Sequence, residues 1–298
     1  MTTPATSLRR PLLLSLLPTL AVTVCVASCS QIGAGSFKVL YDHADWLLQR
    51  AIGHYIDLDS RQTQMVRAQT ERLLRWHRRE ELPLYADVLD DAAERVARRL
   101  TSDDVVWIYS VVAERWQITA GRIADDFAPV VVTLRLDQRS HLAEAFEHDN
   151  ARYARKAIDA GREKTIEART AWLERQIEYW TGDLTAGQRG RVWAVNAATV
   201  ELPEARLNER RLRQWAFVQL VGMKENESVI QATLASLLRM PRAGADERYA
   251  RTITRYEQEL SGMIVDLDRS LSARQRTTAV DRLHRFAREL RALAAEPV

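Results

Sequence analysis

Through most of this chain apolar residues recur every three or four positions. Leu82, Tyr85, Leu89, Ala92 and Val96 follow that step, as do Val105, Ile108, Val112, Trp116, Ala120, Ile123 and Phe127. Near the end Val280, Leu283, Ala287, Leu290 and Ala294 repeat it. This period places each set on one face of a helix. Pro and Gly, which would break such runs, are sparse. The pattern predicts an all-α fold, a multi-helix array or bundle of helical hairpins with no sheet. One stretch departs from it: Val130-Val131-Val132-Thr133-Leu134-Arg135-Leu136 has strand propensity. With no second strand to pair with, it is expected to be a helix started by Pro129 or an irregular crossing.

The expected helix starts share a signature, a Leu followed by a capping residue: Leu58-Asp59, Leu100-Thr101, Leu136-Asp137, Leu184-Thr185 and Leu271-Ser272. The caps are therefore Asp59, Thr101, Asp137, Thr185 and Ser272. In Thr185-x-x-Gln188 and Ser272-x-x-Gln275 hydroxyl and glutamine form a capping box, each satisfying a backbone N–H that the helix leaves unpaired. Asp59-x-x-Gln62 is the carboxylate variant. From Asp137 to Trp180 there is a single Gly and no Pro, which predicts one or two long helices. Pro203 and Pro241 mark further breaks or starts. The eight tryptophans are expected to anchor the core.

The N-terminus follows a different rule. A polar start ends in Arg9-Arg10, an apolar run extends from Pro11 to Val26, and small residues Ala27 and Ser28 precede Cys29. This is the layout of an export signal. Its apolar stretch falls short of the ~20 residues needed to span a bilayer. Val26-Ala27-Ser28-Cys29 resembles the lipobox of bacterial lipoproteins. That resemblance implies removal of residues 1–28 and a covalent diacylglycerol and N-acyl lipid (palmitate-type) on Cys29. It also implies, with Ser30 following the cysteine, attachment to the periplasmic face of the outer membrane. Residues 29–36 then form a short lipidated linker, reaching roughly 15 Å as a coil, and residues 37–298 the helical periplasmic domain.

Composition narrows the function classes. The whole chain has 43 Lys+Arg against 40 Asp+Glu, and loss of Arg9 and Arg10 leaves it nearly neutral. Acidic and basic residues are interspersed, so a basic stripe for nucleic acid is not expected. Only two cysteines occur, Cys25 and Cys29. By the lipoprotein resemblance one would be lost with the signal and the other acylated, leaving neither a disulfide nor a thiol nucleophile.

Three constellations are candidates for chemistry. His141, Glu144 and His148 fall on one side of a helix, and two imidazoles with a carboxylate are ligand types for Zn²⁺ or a similar ion. The apolar face carried by Leu142, Phe146 and Tyr153 lies about 100° away, so these three point to solvent. Asp42, His43, Asp45, His54, Asp57 and Asp59 gather near the anchor, although Asp59 is already engaged as a cap. In Trp76-His77-Arg78-Arg79-Glu80-Glu81-Leu82-Pro83 one His beside Arg and Glu could do acid/base work, but the stretch reads first as an Arg/Glu network at a helix end, with Trp76 buried and Pro83 fixing a kink or restart. No Gly-x-Ser-x-Gly elbow, His-Glu-x-x-His or phosphate-binding Gly loop is present.

The chain resembles an uncharacterised family of proteobacterial lipoproteins sharing a domain of unknown function. The matching pieces are the lipobox, Tyr41, Ala44-Asp45, Tyr55, Asp57-Leu58-Asp59, Gln62, Trp76-His77-Arg78, Glu81-Leu82-Pro83, Tyr85, Asp149-Asn150, Tyr153, and Trp180-x-Gly182-x-Leu184-Thr185 with Gln188. The resemblance implies location and architecture but no activity. Leu184-Thr185-Ala186-Gly187-Gln188-Arg189 and Leu271-Ser272-Ala273-Arg274-Gln275-Arg276 are also similar to the Leu-Thr-x-x-Gln-Arg motif of small periplasmic helical stress chaperones. The expectation is a non-enzymatic, membrane-anchored binding, adaptor or chaperone-like protein with no cofactor beyond its lipid. Its partners would be the membrane, and another envelope protein or a lipid. A lipid or hydrophobic-ligand carrier and a metal-dependent hydrolase are the alternatives.

Overall fold

The computed structural model describes residues 36–223, 225–239 and 246–296. Among these residues the protein is all-α, with neither strand nor sheet. The expected signal and cleavage site (Val26, Ala27, Ser28), Cys29 and the expected Pro241–Gly244 break lie outside the described residues. The helices are α1 (Ser36–Asp42), α2 (Ala44–Tyr55), α3 (Ser60–Trp76), α4 (Leu82–Ala97), α5 (Ser102–Val132), α6 (Leu136–Ala157) and α7 (Arg162–Thr181). They continue with α8 (Ala186–Ala198), α9 (Leu202–Leu220), α10 (Glu227–Leu238), α11 (Glu247–Ser270) and α12 (Ala273–Ala295). None is long and apolar enough to cross a membrane.

Antiparallel pairing dominates. α3 runs against α5, with Arg72 opposite Asp126 (3.7 Å) and Gln62 donating to the Thr133 carbonyl (2.8 Å). α5 runs against α10, where Trp116 Nε1 donates to the Leu238 carbonyl at 2.8 Å. α6 lies on α9 through Asn150–Gln214 (2.8 Å), and α7 on α8 through Arg189–Glu178 (2.7 Å). The last helix returns to an early one: α12 packs along α4, with Arg291 bonded to Asp87 (2.7 Å) and Asp90 (2.6 Å).

Three apolar clusters fill the gaps. Tyr55, Ala128, Val131, Leu134, Leu142, Phe146, Leu220 and Ile230 join α2, α5, α6, α9 and α10. Leu82 and Ala86 meet Phe286, Ala287, Leu290 and Leu293 where α4 faces α12. Leu184, Val192 and Val195 of α8 meet Met263 and Leu267 of α11. A buried Leu or Phe contributes about 1.5–3 kcal/mol, so these clusters supply the cohesion that disulfides provide elsewhere.

Of the strand-like stretch, Val130–Val132 belongs to α5, which passes through Pro129 and ends at Val132, so no helix starts at the proline. Thr133–Arg135 is the short connection to α6, which begins at Leu136. Val131 and Leu134 are buried in the first cluster, and this burial overrides β propensity. The segment 137–180 forms two helices, α6 and α7, separated by a turn at Gly161 with φ of 89°. α3 does not end before α4 begins. A π-helical turn, His77–Glu81, joins them, and the Leu82 N–H bonds the His77 carbonyl. Pro83 lacks an N–H, and its ring would strike the carbonyl four residues back. One wider turn just before it accommodates the ring.

Candidate functional site

Caps at Asp59, Thr101, Thr185 and Ser272 are in place, each accepting the backbone N–H three residues on: Gln62 (2.9 Å), Asp104 (3.2 Å), Gln188 (3.3 Å) and Gln275 (3.2 Å). Asp137 is not a cap. α6 starts two residues earlier with Arg135 at the boundary, and the Arg135 N–H donates to Gln138 Oε1 at 2.9 Å. The signature is therefore Leu134-Arg135-x-x-Gln138. Asp137 lies inside the first turn, salt-bridged to Arg135 (3.1 Å).

That shift of two residues reveals a repeated element. Gln62 and Gln138 form a closed amide pair: Gln62 Nε2 donates to Gln138 Oε1 (3.1 Å), and Gln138 Nε2 returns a bond to Gln62 Oε1 (2.7 Å). Gln188 and Gln275 do the same at 3.2 and 3.0 Å. Every one of the four also donates to the carbonyl two residues before its partner's cap. Those carbonyls are Thr133 for Gln62, Asp57 for Gln138, Ser270 for Gln188 and Asp183 for Gln275. Each Oε1 takes the N–H of its own cap residue as well. All four amides are buried with their hydrogen-bonding capacity used. The two pairs are equivalent, one tying α3 to α6 and the other α8 to α12.

Two further polar constellations surround the first apolar clusters. Tyr55 donates its hydroxyl to the buried carboxylate of Asp149, which Arg152 also contacts. Burial, then the bond to Asp149, pushes the Tyr55 phenol well above its ordinary pKa. Around the π-turn, Tyr41 hydroxyl lies 2.9 Å from His77 Nδ1, and the rings of Tyr41 and Tyr85 pack on the imidazole. Burial pushes His77 down to about 4. Glu81 is buried at the end of the same turn, with Arg115 3.6 Å away, and burial raises its pKa. Trp76, expected inside, is only partly buried, with Arg122 over its ring at 5.7 Å. The turn is a packed aromatic–histidine joint holding α1 against the α3–α4 bend.

His141, Glu144 and His148 are exposed on α6 while Leu142 and Phe146 are buried. Among the described residues no three His, Cys, Asp or Glu side chains are grouped to hold a metal ion. The acidic and histidine residues between positions 42 and 59 also part ways: Asp42 pairs with Lys38 (3.1 Å) and Arg78 (3.3 Å), and Asp59 with Arg135 (2.8 Å). The tryptophans overturn another expectation. Only Trp116 is fully buried, whereas Trp46, Trp172, Trp193 and Trp215 are exposed.

An array of antiparallel helices, closed by two glutamine clasps and faced with exposed tryptophan, is the class that this geometry defines. Residues 54–250 match the model of a family of unknown function, DUF6279, and the chain belongs to that family. The match takes in Tyr55–Asp149, the π-turn and the first glutamine clasp, and ends within α11, before α12. Neither a curated protein nor a solved structure matches the chain.

Proposed function

We propose that this chain is a lipid-anchored, non-enzymatic adaptor of the bacterial envelope. Its Cys29 lipid would hold a helical domain at the periplasmic face of the outer membrane, and the outer faces of that domain would bind a protein partner. The supporting observation is the placement of large aromatic side chains. On α9, Trp215 is 65% exposed with Leu212 beside it at 57%. Trp193 and Trp172 are exposed on α8 and α7. Tryptophan is enriched at binding hot spots, and a contiguous exposed apolar patch, as at Leu212 and Trp215, is the kind of surface that binds a partner. A carrier needs an enclosed apolar chamber. The best-formed clefts among the described residues are instead open and partly polar: one between α2 and α3 beside Asp57, another between α8 and α11 beside Arg191 and Asp266.

Placing the photo-crosslinking residue benzoylphenylalanine at position 215 in cells tests the adaptor reading. A discrete adduct with one envelope protein is expected there and not at Arg251 on the exposed face of α11. Equal, diffuse crosslinking at both positions would refute it. Labelled palmitate incorporated by the parent chain and lost in Cys29→Ser tests the anchor separately.

A further inference from the structure

The described chain begins at Ser36, with six residues between it and the proposed lipidated Cys29. Even fully extended at about 3.4 Å per residue, that connection holds α1 within roughly 25 Å of the anchor. What α1 and α2 turn outward there is unusual. Val39 on α1 is 60% exposed and Trp46 on α2 is 55% exposed. His43, at the break between the two helices, is exposed, and so is Arg50, four residues after Trp46 and on the same face of α2. Arg50 carries its guanidinium 5.5 Å from the centroid of the Trp46 ring.

Both ends of this segment are held in place. Tyr41, nearly opposite Val39 on α1, is part of the α4–α12 cluster and bonds His77. Lys38 bridges to Glu296 beyond the end of α12. At the far end of α2, Tyr55 is buried and bonded to Asp149. With both ends docked, Trp46 cannot rotate inward without breaking these contacts. A rigidly outward tryptophan, an aliphatic neighbour and a flanking arginine, all within a short span of an acyl anchor, have the chemistry of a bilayer interface. There the indole sits at headgroup depth and the cation meets phosphate.

We propose that the outer face of α1–α2, with Val39, Trp46 and Arg50, rests on the phospholipid surface that holds the anchor. The inference depends on the lipid-anchor reading above. The lipid alone would leave the domain free to turn. This contact fixes its orientation and directs the α7–α9 tryptophans to another partner.

The test uses the full chain, purified with its native modification and reconstituted in vesicles of phosphatidylethanolamine and phosphatidylglycerol. The vesicles contain phospholipid brominated near the headgroup, a quencher of nearby indoles. The parent chain is expected to show tryptophan quenching that falls by more than half in Trp46→Phe and stays unchanged in Trp215→Phe. Helical circular dichroism should be equal in all three, as both positions are exposed. If the protein carries its lipid mass and floats with vesicles but Trp46→Phe leaves the quenching intact, the face is wrong and the anchor stands. Transfer of the loss to Trp215→Phe would identify α9 as the membrane face and overturn the proposal in the same way. A chain with no lipid mass that does not float defeats the anchor reading, and this inference with it.

Discussion

Replacing Gln188 by Leu removes one arm of a glutamine clasp while nearly keeping its volume. Four bonds are lost: two with Gln275 (3.2 and 3.0 Å), the acceptor for the Thr185 N–H (2.9 Å) and the donor shared between the Ser270 carbonyl (3.2 Å) and hydroxyl (3.3 Å). At a net ~0.5–1.5 kcal/mol each, the bonds alone amount to roughly 2–6 kcal/mol. The buried amide of Gln275 is also left half-partnered. A destabilisation of about 3–4 kcal/mol is expected, and a melting temperature lower by roughly 6–15 °C at this chain length. Gln275→Leu should behave alike. The informative species is the double variant, in which no amide is stranded. It should be less destabilised than the sum of the singles by about 2 kcal/mol, because the mutual bonds are counted once and two apolar groups of similar shape face each other. Denaturant unfolding followed by helical circular dichroism gives all four values. Additivity within about 0.5 kcal/mol, as for independent sites, would refute the clasp, and so would a single variant that loses less than about 1 kcal/mol.

Three other outcomes follow from the same structure. His77 has its pKa lowered in the fold from 6.5 to about 4, so its neutral form is favoured. The corresponding stability is present above pH 6.5 and lost as pH falls from there towards 4. Melting curves across that window should fall less steeply for His77→Phe, and an identical slope would show that the joint does not titrate there. Gly222 has φ of 78°, and a Cβ built on it would lie 2.6 Å from Leu136 Cδ2. Gly222→Ala is expected to cost roughly 1–3 kcal/mol in denaturant unfolding, whereas Gly190→Ala, with open space around it, should be neutral or slightly stabilising. Tyr55→Phe leaves Asp149 short of one donor in a buried setting and should cost about 1.5–3 kcal/mol, the scale of a bond to a charged group. An unchanged midpoint would mean that this bond is replaced by solvent.

Helix class was readable from the three-and-four spacing because most helices here have one buried face. Four of the five caps were readable because Asp, Thr and Ser announce themselves by chemistry. The fifth was misplaced for a physical reason. Leu136-Asp137 has the look of a cap, but the structure uses Leu134-Arg135, where the cap side chain contributes nothing and Gln138 does the work. What the chain pattern hid entirely was the partnership of glutamines 76 and 87 residues apart, since spacing along one helix carries no information about a distant one. The tryptophans misled by composition: a large apolar ring is usually an anchor, yet Trp215 sits on the solvent side of α9, one turn from Arg211 and Leu212 and two from Asn208.

The pairing of α12 with α4 has a consequence in time. Leu82 and Leu290 meet across about 200 residues of chain. At a synthesis rate of ~5–20 residues per second, α4 exists for roughly 10–40 s before the helix that covers it has been made. The face that α12 covers lacks that cover throughout the interval, and final closure requires one of the longest loops the polypeptide can form, a slow step by topology. A chain truncated after α11 would leave that face of α4 uncovered.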